Sequence, residues 1–291
     1  MKEKNKKRVS TVVVASMLLV LLASVITPVG ADDNGDPMVA EDSDSYTIRN
    51  PIRIEGNSDF VTQAAAEGWS GDGSENNPYV IEGYEINGTG YGYGIYIGNT
   101  TLYLVVTNCY VHNISGILNY PYRLNDGIHF YTVQNGNVFS NIISNCEGGG
   151  IRFTETENSI ISDNYITNNY RGVSLGRSHN NVITHNTIHR DTHSPQTGIG
   201  LLYSNGNIIN NNTISKYRYG IFEDTCKRNV IENNAFMDVE TEYDYAYEVE
   251  NGNTGNSDTP FMSFAFSTVA ILTAVCLTWK KRRCKGDGSN P

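Results

Sequence analysis

The chain has 291 residues and a formal net charge of −10. That acidity makes nucleic acid a poor partner, since little basic surface is on hand to displace counterions from a phosphate backbone. Five cysteines, none in a close Cys-x-x-Cys pair, imply neither a disulfide framework nor a zinc knuckle, and no cofactor is called for.

Met1 to Arg8 is basic, Val9 to Ile26 is apolar, and Val29-Gly30-Ala31 supplies small residues ahead of Asp32-Asp33. The pattern predicts a signal peptide over residues 1–31, with an uncleaved anchor as the alternative. Residues 32–45 read as an acidic linker. Residues 46–90 are expected to cap the N-terminal end of a repeat array, because a stack of repeats needs cover at its ends.

Residues 91–238 repeat. A Gly-Ile or Gly-Val step falls at Gly127, Gly150, Gly172, Gly198 and Gly220, and an Asn two positions ahead of an apolar residue at Asn141, Asn164, Asn186, Asn212 and Asn234. Both series advance by roughly 23, 22, 26 and 22 residues, so the long unit holds a local insertion, Asp191 to Gln196. Apolar residues come in short, β-branched bursts with no helical periodicity. Three short strands per unit with no crossover helix predict an all-β, right-handed, single-stranded parallel β-helix of about six coils. Stacking would place Ile128, Ile151, Val173, Ile199 and Ile221 in one interior row and Phe130, Phe153, Leu175 and Leu201 in another. Glu223 breaks that second row, which predicts a last coil open to solvent. The Asn column predicts an amide ladder, with Asn also suited to a left-handed bend. Two segments, Ser115 to Asn125 and Asp191 to Gln196, are expected to project as loops. Cys109, Cys146 and Cys226 are expected as buried thiols.

Residues 239–259 read as a second acidic linker. An apolar stretch over 260–279 followed by a basic tail, 280–291, predicts one transmembrane helix with the tail in the cytoplasm and the rest outside. The external part then carries roughly −18, with Lys216 and Lys227 its only lysines.

The stretch from Asn76-Asn77-Pro78-Tyr79-Val80-Ile81-Glu82-Gly83 through Gly94-Ile95-Tyr96-Ile97-Gly98-Asn99-Thr100-Thr101, together with the coils C-terminal to it, resembles the NosD-like right-handed β-helix proteins, particularly the membrane-anchored surface proteins of archaea. The resemblance implies the fold and, from the family's periplasmic members, copper delivery. The shared residues are the scaffold's own Gly, Asn and Ile, so it implies little about a ligand.

Three groups of residues are candidates for chemistry. His179, His185, His189 and His193 fall in one coil and its insertion, and would make a metal site if they converge. Asp126, His129 and Arg152, with Glu147 nearby, would share one outward face on adjacent coils: acid, base and anion holder for a polysaccharide lyase or hydrolase. Tyrosines crowd the first coils and recur in later ones, a platform for stacking on sugar rings, with Tyr120 and Tyr122 in a projecting loop as the binding candidates. The leading expectation is a non-enzymatic cell-surface protein, held by its C-terminal helix and engaging glycans or neighbouring envelope proteins. The alternatives are a carbohydrate-active enzyme and a metal binder.

Overall fold

A computed structural model describes residues 46–117 and 124–246. The signal, transmembrane and tail expectations, and Tyr120 and Tyr122, lie outside the described residues. Among the described residues no helix is long and apolar enough to cross a membrane.

The strands form three sheets in which each strand pairs in parallel with its counterpart one coil away. The first sheet runs from Thr47–Arg49 to Ala235–Met237 in 8 strands, and the second from Ile52–Glu55 to Thr241–Tyr245, also in 8. The third runs from Tyr79–Glu82 to Val230–Glu232 in 7. This is a parallel β-helix of the right-handed type, with seven coils where the repeat count suggested about six. The extra coil lies in the segment expected only as a cap: Tyr79–Glu82 and Tyr84–Asn87 pair in register with the strands of the next coil. The segment also carries an 11-residue helix, Asn57–Glu67, that periodicity did not reveal. It buries only Phe60 and Ala64, a single i, i+4 pair, and stops at Gly68 in the left-handed conformation. Phe60 stacks on Tyr79 at 5.0 Å and so closes the N-terminal end of the core.

The interior rows stack as the spacing predicts. Ile128, Ile151, Val173, Ile199 and Ile221 are in register, as are Phe130, Phe153, Leu175, Leu201 and Glu223. The paired Gly and Asn spacings have a steric cause. A Cβ on Gly127, Gly150, Gly172 or Gly198 would stand well inside 3 Å of the Cγ2 of Ile143, Ile166, Ile188 or Ile214, and one on Gly220 would meet the ring of Phe236. Each of those partners ends an Asn-led triplet of the same coil, so Gly and Asn move together because the triplet presses on the glycine.

The ladder exists: Asn141, Asn164, Asn186, Asn212 and Asn234 pass Nδ2–H to Oδ1 from coil to coil at 2.9 to 3.0 Å. Each carbonyl also accepts the backbone N–H of the preceding ladder residue. The left-handed bend is not theirs, however. It belongs to the residue just before, Ser140, Asp163, His185, Asn211 and Asn233. A second ladder, Ser159, Asn181, Asn207 and Asn229, runs through the turn between the second and third sheets.

Three expectations are corrected. Glu223 is 1% exposed. The strand Thr241–Tyr245, inside the segment read as a linker from 239, covers it, and Tyr243 and Asn229 donate hydrogen bonds to its carboxylate. A carboxylate in an apolar row is tolerable when so satisfied. The insertion Asp191 to Gln196 projects only in part, because Ser194 to Gln196 open the strand Ser194–Leu202, with a register shift before Thr197.

Candidate functional site

The second sheet carries a row of outward positions in register: Tyr96, His129, Arg152, Ser174, Gly200 and Phe222. The corner glycine decides what lies beside each. Gly127 and Ile128 both face the core, so Asp126 and His129, three apart, emerge on the same outer side. The same offset places Arg171 beside Ser174 and Tyr219 beside Phe222, whose rings are 5.7 Å apart.

Asp126, His129 and Arg152 do come together, but not on a solvated face. Asp126 is 1% exposed and His129 fully buried. One oxygen of Asp126 accepts the Gly149 N–H and the other accepts Arg152 Nε–H, each at 2.6 Å. His129 Nδ1 stands 3.8 Å from Asp126, beyond hydrogen-bond reach, while Nε2 is 3.1 Å from Thr154 Oγ1. Tyr96 meets the imidazole edge-on at 5.5 Å. Burial, reinforced by Arg152 and only partly offset by Asp126, lowers the His129 pKa to about 4. The ring is therefore neutral near pH 7, and its contact with Asp126 is not an ion pair. Arg152 is the member that reaches the surface, with its side chain 20% exposed. Asp126 takes the Nε–H, which leaves the terminal nitrogens as donors for other partners. Glu147 is occupied with Asn125, whose Nδ2 donates to it at 2.9 Å.

Beyond Arg152 the row drops to a floor of Ser174 and Gly200, with the Thr197 side chain lying against Gly200. Open space lies above Gly176, two residues along from Ser174. The Ser174 hydroxyl is buried, at 7% residue exposure, with no hydrogen-bond partner among the described residues. Phe222 and Tyr219 rise on the far side, so the surface is a trench about 14 Å across, three strand steps wide. The same register brings Ser174, Gly200 and Phe222 into this row. The burial of Asp126 and His129 was not visible in the sequence, because the side chains that close over them come from neighbouring coils.

The four histidines of the insertion coil do not converge. His179 Nδ1 accepts the Asn205 N–H, and His185 sits at a left-handed corner beside Thr184. His189 lies between Ser215 and Asp191, and His193 pairs with Asp238 at 3.1 Å. Among the described residues no three His, Cys, Asp or Glu side chains form a group able to hold a metal ion. Cys109, Cys146 and Cys226 are buried, with burial pushing the thiols of Cys109 and Cys226 up to about 11. Protonated, enclosed thiols are poor ligands for a soft metal. The tyrosines of the first coils are mostly packing residues: Tyr96 is fully enclosed, and Tyr84 accepts a hydrogen bond from Trp69 while Arg49 lies over its ring.

A family model described as periplasmic copper-binding protein (NosD) matches residues 53–257. No curated protein sequence matches. Among solved structures the chain is similar to a mutant of the periplasmic alginate epimerase AlgG, at 16% identity and a TM-score of 0.37, over 56% of this chain and 46% of that one. It is similar to a mutant of DFA-IIIase from Arthrobacter chlorophenolicus A6 in complex with DFA-III, at 15% identity and a TM-score of 0.41, over 65% and 48%. A third is the A-module of the Azotobacter vinelandii mannuronan C-5 epimerase AlgE4, at 16% identity and a TM-score of 0.35, over 61% and 64%. The chain thus spans less than half the length of the first two and under two thirds of the third. Dispersed histidines and enclosed thiols do not fit the copper of the family's description.

Proposed function

The chain belongs to the NosD family, and from that premise we propose that it is a non-enzymatic recognition protein that binds glycans on the outer face of its second sheet. The observation that carries this reading is the arrangement around Arg152. Asp126 and His129 are both enclosed, Asp126 holding Arg152 through Nε, and neither is accessible to a substrate. A general base must reach the proton it takes, and a neutral imidazole with no exposed atom does not. What the site offers is an anchored cation, a small-residue floor and an aromatic wall, which suit a sugar chain lying along the coil axis.

The apolar stretch over 260–279 and the basic tail support an anchor that holds the coils outside the cell. Protease added to intact cells should then remove the coils and spare the tail. Tyr120 and Tyr122 are binding candidates on sequence grounds, and Tyr120→Ala with Tyr122→Ala should weaken binding without altering the melt. The main test is a glycan array probed with the full chain, alongside an assay of the bound polysaccharides for new reducing ends and unsaturated uronate. Binding without turnover is expected. Turnover would establish the carbohydrate-active enzyme instead.

A further inference from the structure

Resting on that reading, the geometry points to the ligand class: we propose that the trench takes a uronate-bearing glycan, with a sugar carboxylate on Arg152 and the adjoining rings over Ser174 and Gly200 towards Phe222. Four observations carry it. Arg152 is fixed through Nε by a buried carboxylate while its side chain stays 20% exposed, which leaves the edge bearing its two terminal nitrogens for other partners. That edge matches the two oxygens of a planar carboxylate. The Ser174 hydroxyl, next in the row, is more than nine-tenths buried and has no hydrogen-bond partner among the described residues, which marks a polar group left for a partner at this point of the row.

The local charge agrees. Arg171, beside Ser174, forms no salt bridge among the described residues and is held near the ring of Tyr170, 5.6 Å from its centroid. With Asp126 offsetting Arg152 and the exposed Glu147 offsetting Arg171, the floor is close to neutral on a protein whose formal net charge is −10. A near-neutral floor opposes a single carboxylate less than a phosphate dianion. Finally, Phe222 and Tyr219 give the far wall an apolar surface, and sugar rings present C–H faces to such walls.

The test uses the full chain and oligomers of galacturonate, glucuronate and mannuronate, each beside the counterpart whose carboxylates have been reduced to hydroxymethyl groups. At least one uronate oligomer should bind, and its reduced counterpart should bind at least about tenfold more weakly, the scale of one charge-assisted hydrogen bond. Arg152→Gln should lose affinity similarly. Because that change strands Asp126 and can disturb folding, Ser174→Phe is the second variant: it fills the floor, leaves the Asp126–Arg152 pair intact, and should abolish binding with the fold retained by circular dichroism. Equal affinity for a uronate oligomer and its reduced form would overturn the carboxylate assignment while leaving glycan recognition standing. Undiminished binding by Ser174→Phe would move the ligand out of the trench. Binding of neither acidic nor reduced oligomers, with an empty glycan array, would bring down both readings.

Discussion

Asn164 shows how much one residue holds. Its carbonyl oxygen accepts both the backbone N–H and the Nδ2–H of Asn141, and its own Nδ2 donates to the Val138 carbonyl and to Asn186 Oδ1. All of this is buried, so Asn164→Ala should cost roughly 2–4 kcal/mol in denaturant melts, and Asn164→Asp, which sets a second acceptor against the Val138 carbonyl and Asn186 Oδ1, should cost at least as much. Unchanged stability of the alanine variant would mean that water reaches the column. His129 makes a different prediction, read on the pH axis. Its folded pKa, about 4, is below the ordinary value of 6.5, so between those two values the unfolded chain binds a proton that the native state refuses. Stability should therefore fall as pH drops from about 6.5 towards 4, by an amount on the order of 3 kcal/mol, and then lose this dependence below 4. His129→Gln should flatten that slope. A parent protein whose melting point is level across the window would show the imidazole to be solvated.

The corner glycines test the packing of the strands. In Gly172→Ala the new methyl would stand well inside contact distance of Ile188 Cγ2 and the Gly198 carbonyl, neither of which has room to yield. A loss of about 2–3 kcal/mol is expected from the overpacking. Gly176→Ala, in the same strand but with nothing within 4 Å of the added methyl, should be nearly neutral, within about 0.5 kcal/mol. Equal melting of the two variants would contradict the corner geometry. Strands were the most legible elements in the sequence because each coil restates the same apolar and Asn positions, and stacking converts spacing directly into register. Elements that occur once were harder to read. The helix Asn57–Glu67 has only two buried side chains, and Thr241–Tyr245 lies in an acidic stretch, where its alternation is easily taken for linker. The trench was half legible: its row of residues comes directly from register, but the enclosure of Asp126 and His129 depends on side chains from several coils.

At the scale of the molecule, a solenoid is stabilised between neighbours, so its ends open before its middle. The N-terminal end is closed by Phe60 and Tyr79, whereas the last coil leaves Val230 37% and Met237 55% exposed. Amide exchange should be fastest in Val230–Glu232 and Ala235–Met237 and slowest around Ile161 and Ile166, which are fully buried. Uniform exchange along the axis would indicate a single cooperative unit instead. The contact between corner glycine and triplet has one more implication. From Gly127 to Ile143, Gly150 to Ile166, Gly172 to Ile188, Gly198 to Ile214 and Gly220 to Phe236 the separation is 16 residues every time, so that arc of the coil behaves as a fixed gauge. The equivalent pair one coil earlier, Gly94 and Val111, is 17 apart, so all but one residue of the variation in unit length falls in the remaining arc, the seam where the chain leaves the first sheet and enters the second. Segments can be gained or lost at that seam without retuning the gauge, and the seam borders the trench, so inheritance is free to rewrite the rim of the groove while the barrel beneath it stays the same.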